Sequence, residues 1–137
     1  MKTKLSFTVT TMVALLGMNV AFATSSPPVD CPNPAAIQAA GVSSNVVKVN
    51  DGWFAGRRHE LYGTTHLWTF AIANIAANDA QDAYNKAVTG LKSLVFLAGP
   101  VIENGRWVCS YQTSVEGYSA FAVTPPISLA ETVNYTH

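Results

Sequence analysis

Charge is scarce in this sequence, and neither sign is in excess. Only 12% of the 137 residues are charged, with eight Lys and Arg balanced by eight Asp and Glu. Nucleic-acid-binding domains carry a basic excess, and proteins that bind anionic membranes carry clusters of Lys and Arg. The one basic run, Arg57–Arg58, is too short for either role. The composition therefore predicts no nucleic-acid partner.

The sequence also lacks the short motifs of several large enzyme classes. It has no G-x-S-x-G of the α/β-hydrolases and no H-E-x-x-H of the zinc proteases. It has neither a P-loop nor the G-x-G-x-x-G of dinucleotide-binding folds. These absences leave no predicted catalytic residue, metal ligand or cofactor.

Long apolar runs are absent as well, except at the start of the chain. Lys2 and Lys4 precede the mostly apolar, uncharged stretch 5–20, and the small-x-small pattern 21–23 follows it. These are the features of a secretory signal peptide, and the stretch is short for a membrane-spanning helix. We therefore expect cleavage after Ala23, export to the periplasm or the medium, and a mature chain without a membrane span. Loss of the two lysines leaves six basic and eight acidic residues, a net charge of about −2.

Cysteine is limited to two residues, Cys31 and Cys109. Neither has a nearby Cys or His, whereas zinc sites and redox sites use close-spaced ligands such as C-x-x-C. A cysteine nucleophile would need a free thiol and a histidine base. In an exported chain two cysteines are expected to pair, and a loop of this length stabilises by about 4.5 kcal/mol on the chain-entropy model. We predict a structural Cys31–Cys109 disulfide.

Local patterns predict the element order α-β-β-β-α-β-β-β. A short helix is expected between Asn33 and Gly41, and a longer amphipathic helix begins at Asn78 or Asp79. Strands are predicted over 46–50, 53–60, 66–75 and 118–124, and Asn104–Gly105 is a strong hairpin turn inside 94–113.

These elements indicate an α+β fold with a mainly antiparallel sheet of about six strands. One long helix would pack on a face of the sheet, and the short N-terminal helix would be tied down by the disulfide. The predicted organisation is a signal peptide at 1–23, a flexible leader at 24–30, a single domain at 31–126 and a C-terminal tail at 127–137.

One polar cluster, RRHELYGTTH, offers a weak candidate site. If the turn at Tyr62–Gly63 centres a hairpin, His59 and His66 become cross-strand neighbours close to Arg57. The pair could serve a hydrolase as a general base or form part of a metal site. The alternative is an exposed, solvated hairpin end, which is the usual fate of such residues.

An ordered set of residues resembles a family of small exported proteins of unknown function from Legionella and its relatives. The set runs from Cys31–Pro32 through Trp68–Phe70 and Gly99–Pro100 to Trp107–Tyr111, and it ends at Val123–Pro125. The resemblance implies a bacterial exported protein with one disulfide, and it implies no known activity. Some members of such families leave the cell by type II secretion.

The function class that these observations favour is a non-enzymatic, exported protein with a binding or effector-like role. Its expected partner is an unidentified protein or peptide, which an exposed edge strand could bind by strand addition. A structural component of the cell envelope is one alternative. A small hydrolase that uses His59 and His66 is another.

Overall fold

The computed structural model describes residues 30–50 and 52–136. The predicted signal peptide and most of the predicted leader lie outside these residues. The helices are α1 (Pro34–Ala40) and α2 (Ala80–Leu91), and a 3₁₀ helix follows at Ala130–Tyr135. The strands are β1 (Val47–Val49), β2 (Gly52–Glu60), β3 (Trp68–Ile75), β4 (Val95–Glu103), β5 (Arg106–Gln112) and β6 (Ser119–Thr124).

All six strands belong to one antiparallel sheet with the order β1-β2-β3-β6-β5-β4. The last strand in the chain, β6, therefore lies between two hairpins, with β3 on one side and β5 on the other. The α+β class and the mainly antiparallel six-stranded sheet are confirmed, and so is the element order. No helix in the described ranges is both long and apolar enough to cross a membrane.

Both helices begin at side-chain caps that the sequence supplies. The Asn33 side chain accepts a hydrogen bond from the Ala35 N–H, and Pro34 occupies the first turn of α1. The Asp79 side chain accepts one from the Asp82 N–H at the start of the twelve-residue α2. Both helices contribute to one core cluster with the sheet, in which Ile37, Ala83 and Ala87 pack with Trp68 and Phe70. We call this side of the sheet the helix face.

The other side of the sheet is covered by the C-terminal segment, and we call it the tail face. Phe54, Phe121 and Val123 pack there against Ile127 and Tyr135. The fully buried Thr69 hydroxyl donates a hydrogen bond to the Ile127 carbonyl at 2.7 Å and accepts one from the Ile127 N–H at 2.9 Å. Residues that the sequence presents only as a short tail thus form one layer of the molecule.

The predicted disulfide is confirmed. Cys31 and Cys109 are joined by an S–S bond of 2.05 Å across a sequence separation of 78 residues. Cys109 is fully buried on β5, and Cys31 lies two residues before Asn33, the cap of α1. The bond therefore fixes the start of the described chain to the sheet.

Candidate functional site

Strand β4 is an edge of the sheet, and its side chains are apolar and exposed. Five large hydrophobic residues of this strand are between 46% and 63% exposed: Val95, Phe96, Leu97, Val101 and Ile102. The opposite edge, β1, has only three residues, and the 3₁₀ helix contacts it. Long apolar edge strands are normally blunted by charge or covered, because their free backbone groups can pair with another chain. Between residues 95 and 102, β4 contains no charged residue.

The exposed residues of β4 extend over both faces of the sheet. Phe96 pairs with Tyr111 on the helix face, where their rings meet edge to face at 5.8 Å. Ile102 pairs with Trp107 on the same face, whereas Val101 pairs with Val108 on the tail face. A strand added along β4 would therefore find apolar contacts both above and below the sheet.

Two irregularities interrupt the pairing of β4 with β5. The register shifts between Phe96 and Ala98, and again between Ala98 and Val101. Gly99 and the cis-bonded Pro100 occupy the second shift. A Cβ atom on Gly99 would lie 2.7 Å from the Val108 oxygen and 3.5 Å from the Cys31 sulfur. The bulged backbone thus lies directly against the disulfide, which only a glycine allows.

A cavity of about 770 Å³ lies beside this bulge and the disulfide. Its lining includes Pro32, Tyr62, Thr64, His66, Phe96 and Pro100. The Tyr62 hydroxyl is buried and has no hydrogen-bond partner among the described residues, whereas the Tyr111 hydroxyl donates to the Pro32 carbonyl. Burial raises the pKa of both phenols well above the usual range, so both are neutral donors at physiological pH.

The residues of the predicted polar site do not come together as the hairpin hypothesis expects. The strand register pairs Arg57 with Phe70 and Glu60 with Trp68, with a shift between the two pairs. His59 is exposed within this shift, at a φ of 58°. His66 precedes β3, and its ring Nδ1 lies 3.2 Å from the Thr65 hydroxyl. His59 thus lies in a bulge, His66 lies in the turn before β3, and Arg57 lies in a regularly paired part of β2.

Arg57 instead lines a second cavity, of about 560 Å³, between α1 and α2. Its Nε donates to the Gly41 carbonyl at 3.3 Å, and its Nη1 lies 3.9 Å from a Glu60 carboxylate oxygen. Apolar side chains of α2 and the segment after α1 form much of the remaining lining.

The carboxylates with lowered pKa values accept hydrogen bonds at the starts of helices. The Asn78 N–H donates to the Asp82 carboxylate, and this bond, together with Lys86, holds the Asp82 pKa below its usual range. The N–H and hydroxyl of Ser128 do the same for Glu131 at the 3₁₀ helix. In the part of the chain that the structure describes, no three His, Cys, Asp or Glu residues are grouped to hold a metal ion.

No protein-family model, no curated protein and no solved structure matches this chain. The relation to the exported Legionella family thus stays a prediction from the sequence.

The exposure of β4 is the site feature that sequence reasoning missed. Residues 94–102 form a nearly continuous apolar run, which is typical of a buried strand. Gly99–Pro100 does predict a bulge or an edge position in this strand, and the structure has both there, but it does not predict how far the side chains are exposed.

Proposed function

We propose that this protein is an exported, non-enzymatic binding protein that captures an extended segment of another protein along the β4 edge. The observation that carries the proposal is the edge strand β4, which has no charged residue from 95 to 102 and whose five large apolar side chains are about half exposed. Strand addition uses the backbone groups of such an edge for affinity and its side chains for selectivity.

The size of the β4 surface favours a peptide segment over a second folded copy. The five side chains are 46–63% exposed and belong to a single strand, so the apolar surface that they offer is only one strand wide. A stable interface between folded proteins buries about 800 Å² on each partner. An edge of this size is better suited to one added strand than to a permanent dimer.

The two register shifts favour the same occupant. Bulges bend and twist an edge, and they oppose pairing with another rigid edge. A second copy would have to match the bulge at Gly99–Pro100 with its own, whereas an extended peptide can follow the bent backbone. The cavity that Phe96 and Pro100 help to line would receive side chains from such a peptide on the helix face.

Export remains part of the proposal. The disulfide supports a protein that works in an oxidising compartment. We also propose that the protein acts in the periplasm, or in the medium after type II secretion. Its membership of the exported Legionella family is likewise a proposal.

The test uses short synthetic peptides of alternating apolar and threonine residues, with binding followed by fluorescence anisotropy. Each peptide has a counterpart that is N-methylated at alternate backbone nitrogens, which cannot donate ladder hydrogen bonds. We expect the parent peptide to bind and the methylated one to fail. Ile102→Lys should weaken binding about tenfold, because it places a charge in the apolar contact surface.

Leu61→Lys is the matched control, since Leu61 is a 49% exposed hydrophobic residue outside β4. It should leave peptide affinity within about twofold. Equal binding of parent and methylated peptides, or equal effects of the two lysine variants, would sink the edge-strand assignment. Concentration-dependent dimers that Ile102→Lys abolishes in sedimentation experiments would show that a second copy takes the edge instead.

A further inference from the structure

A groove on the helix face combines an apolar lining with two cationic side chains. Six residues characterise it: Gln38, Val42, Arg57, Tyr84, Val88 and Lys92. Its volume of about 560 Å³ lies within the range of small-molecule sites. The groove lies between α1 and α2, and it shares no lining residue with the cavity beside β4.

The cations of the groove have donors left for a ligand. The Lys92 ammonium has no hydrogen bond or ion pair with any described residue. Arg57 uses Nε for the Gly41 carbonyl, but its nearest carboxylate, Glu60, lies at 3.9 Å and is 39% exposed. An exposed pair at this distance is worth little, so Glu60 competes weakly with an anion that binds Arg57. None of the described lining residues is acidic.

The same groove is held open by its own structure. The Gln38 amide donates to the carbonyls of Leu91 and Lys92 at 2.9 and 3.2 Å, and this fixes α1 against the end of α2. Val42 and Leu91 are nearly fully buried and line the base of the groove, whereas Tyr84 and Val88 are half-buried. A preformed apolar surface beside two cations is suited to a molecule with one charged end.

We propose that the α1–α2 groove binds a small anionic amphiphile, with one anionic head at Arg57 and Lys92 and a single apolar chain along Val42, Tyr84 and Val88. This site is independent of the β4 edge. Arg57 can bind a carboxylate or a sulfate through two parallel N–H groups, while Lys92 contributes a point charge.

The test measures binding to the protein expressed from the full chain of decanoate and decyl sulfate below their micellar concentrations and of decanol below its solubility limit. Nuclear magnetic resonance shifts of the Val42 and Val88 methyl groups report occupancy of the groove. We expect both anions to bind at least tenfold more tightly than decanol. Octanoate should bind more weakly than decanoate, by up to about fourfold for each CH₂ that is removed.

Arg57→Gln should lower the affinity for decanoate about tenfold, and Lys92→Gln should lower it about threefold. Neither change should have much effect on the affinity for decanol. Arg58→Gln is the matched control, because it removes the same charge from the next residue of β2. Arg58 is exposed, and its charge acts on Glu131 of the 3₁₀ helix rather than on the groove. The decanoate affinity of the Arg58→Gln variant should stay within about twofold of that of the parent.

Three outcomes would overturn the proposal: decanol that binds as tightly as decanoate, equal effects of Arg57→Gln and Arg58→Gln, or methyl shifts outside the groove. If Arg57→Gln fails to fold, the exposed Lys92→Gln variant and the salt dependence of decanoate binding decide the matter. Affinity that does not fall with added salt would then count against the head-group assignment.

Discussion

Gly99 is the residue on which the shape of the β4 edge depends most directly. Its φ of 121° is unusual for any residue with a side chain, and an added Cβ would lie 2.9 Å from the Cys109 Cα. Because backbone atoms surround the site, relief of this overlap requires the two strands to move apart.

We expect Gly99→Ala to lower the free energy of unfolding by at least about 3 kcal/mol, through strain added to steric overlap. Urea denaturation measures the change. Gly63→Ala is the control, since Gly63 also has a positive φ of 78° but nothing lies within 4 Å of an added Cβ. Its cost should be about 1 kcal/mol. Equal costs at the two positions would mean that the close strand approach is absent.

Asp82 makes stability depend on pH at the start of α2. Its pKa is lowered, chiefly by the Asn78 N–H and further by Lys86. A lowered folded-state pKa means that the stabilisation is complete above the unfolded value of about 3.9 and is lost as pH falls through the folded value. Asp82→Asn should therefore be less stable than the parent at pH 7, and the difference should shrink below about pH 4.

Urea midpoints measured from pH 7 to pH 2 test this expectation. Glu116→Gln serves as the control, because Glu116 is exposed between β5 and β6 and caps none of the described helices. Its midpoint should follow that of the parent throughout. A difference between Asp82→Asn and the parent that stays constant with pH would refute the role of the carboxylate charge.

At the scale of elements, local signals were sufficient to predict the helices and hairpins. The cap at Asp79 and the turn at Asn104–Gly105 are short-range features, and the structure has α2 and the β4–β5 hairpin at those places. The C-terminal segment could not be predicted in this way. Its buried residues, Ile127, Thr132 and Tyr135, are too few for an amphipathic pattern, and they are buried because the distant β3 and the neighbouring β6 meet them.

Thr69 links this C-terminal layer to the sheet, so we expect its hydroxyl to contribute strongly to the free energy of unfolding. Thr69→Val removes both hydrogen bonds to Ile127 and leaves a buried N–H and C=O unpaired. We expect a loss of about 2–3 kcal/mol in the free energy of unfolding. Thr89→Val, on the exposed side of α2, should cost less than about 1 kcal/mol. Similar losses of unfolding free energy in the two variants would show that contacts other than those of Thr69 hold the C-terminal layer on the sheet.

At the scale of the whole molecule, the disulfide joins the start of the described chain to β5. Cys31→Ala and Cys109→Ala should each lower the free energy of unfolding by up to about 4 kcal/mol, and the double variant should add little more. Denaturation without reductant measures all three, and the reduced parent should resemble the double variant. Additive effects would contradict the bond, because each single change already removes it.

Cleavage and export are also properties of the whole molecule. We expect mass spectrometry of the exported protein to find a chain that begins at Thr24, after the small-x-small pattern. Release that stops when the type II secretion apparatus is disabled would point to a role outside the cell, whereas retention in the periplasm with the apparatus intact would favour a role in the envelope. A protein that keeps its first 23 residues would contradict the predicted cleavage.

The order of strands is the part of the fold that the sequence could not predict. Hairpins follow from turns such as Asn104–Gly105, but the position of β6 depends on contacts with β3, more than forty residues earlier in the chain. The register that joins Thr69 to Val123 and Cys109 to Ala122 has no local signal. This register is selected because it buries the apolar side chains on both faces of the sheet.

The central place of β6 has a consequence for the timing of folding. The strand that joins the two halves of the sheet is the last of the six described strands to be synthesised. Until it arrives, the halves have no shared backbone ladder, and the aromatic layer around Phe121 cannot close. If the chain is exported as we propose, the six-stranded sheet would therefore be completed only after β6 has crossed the membrane.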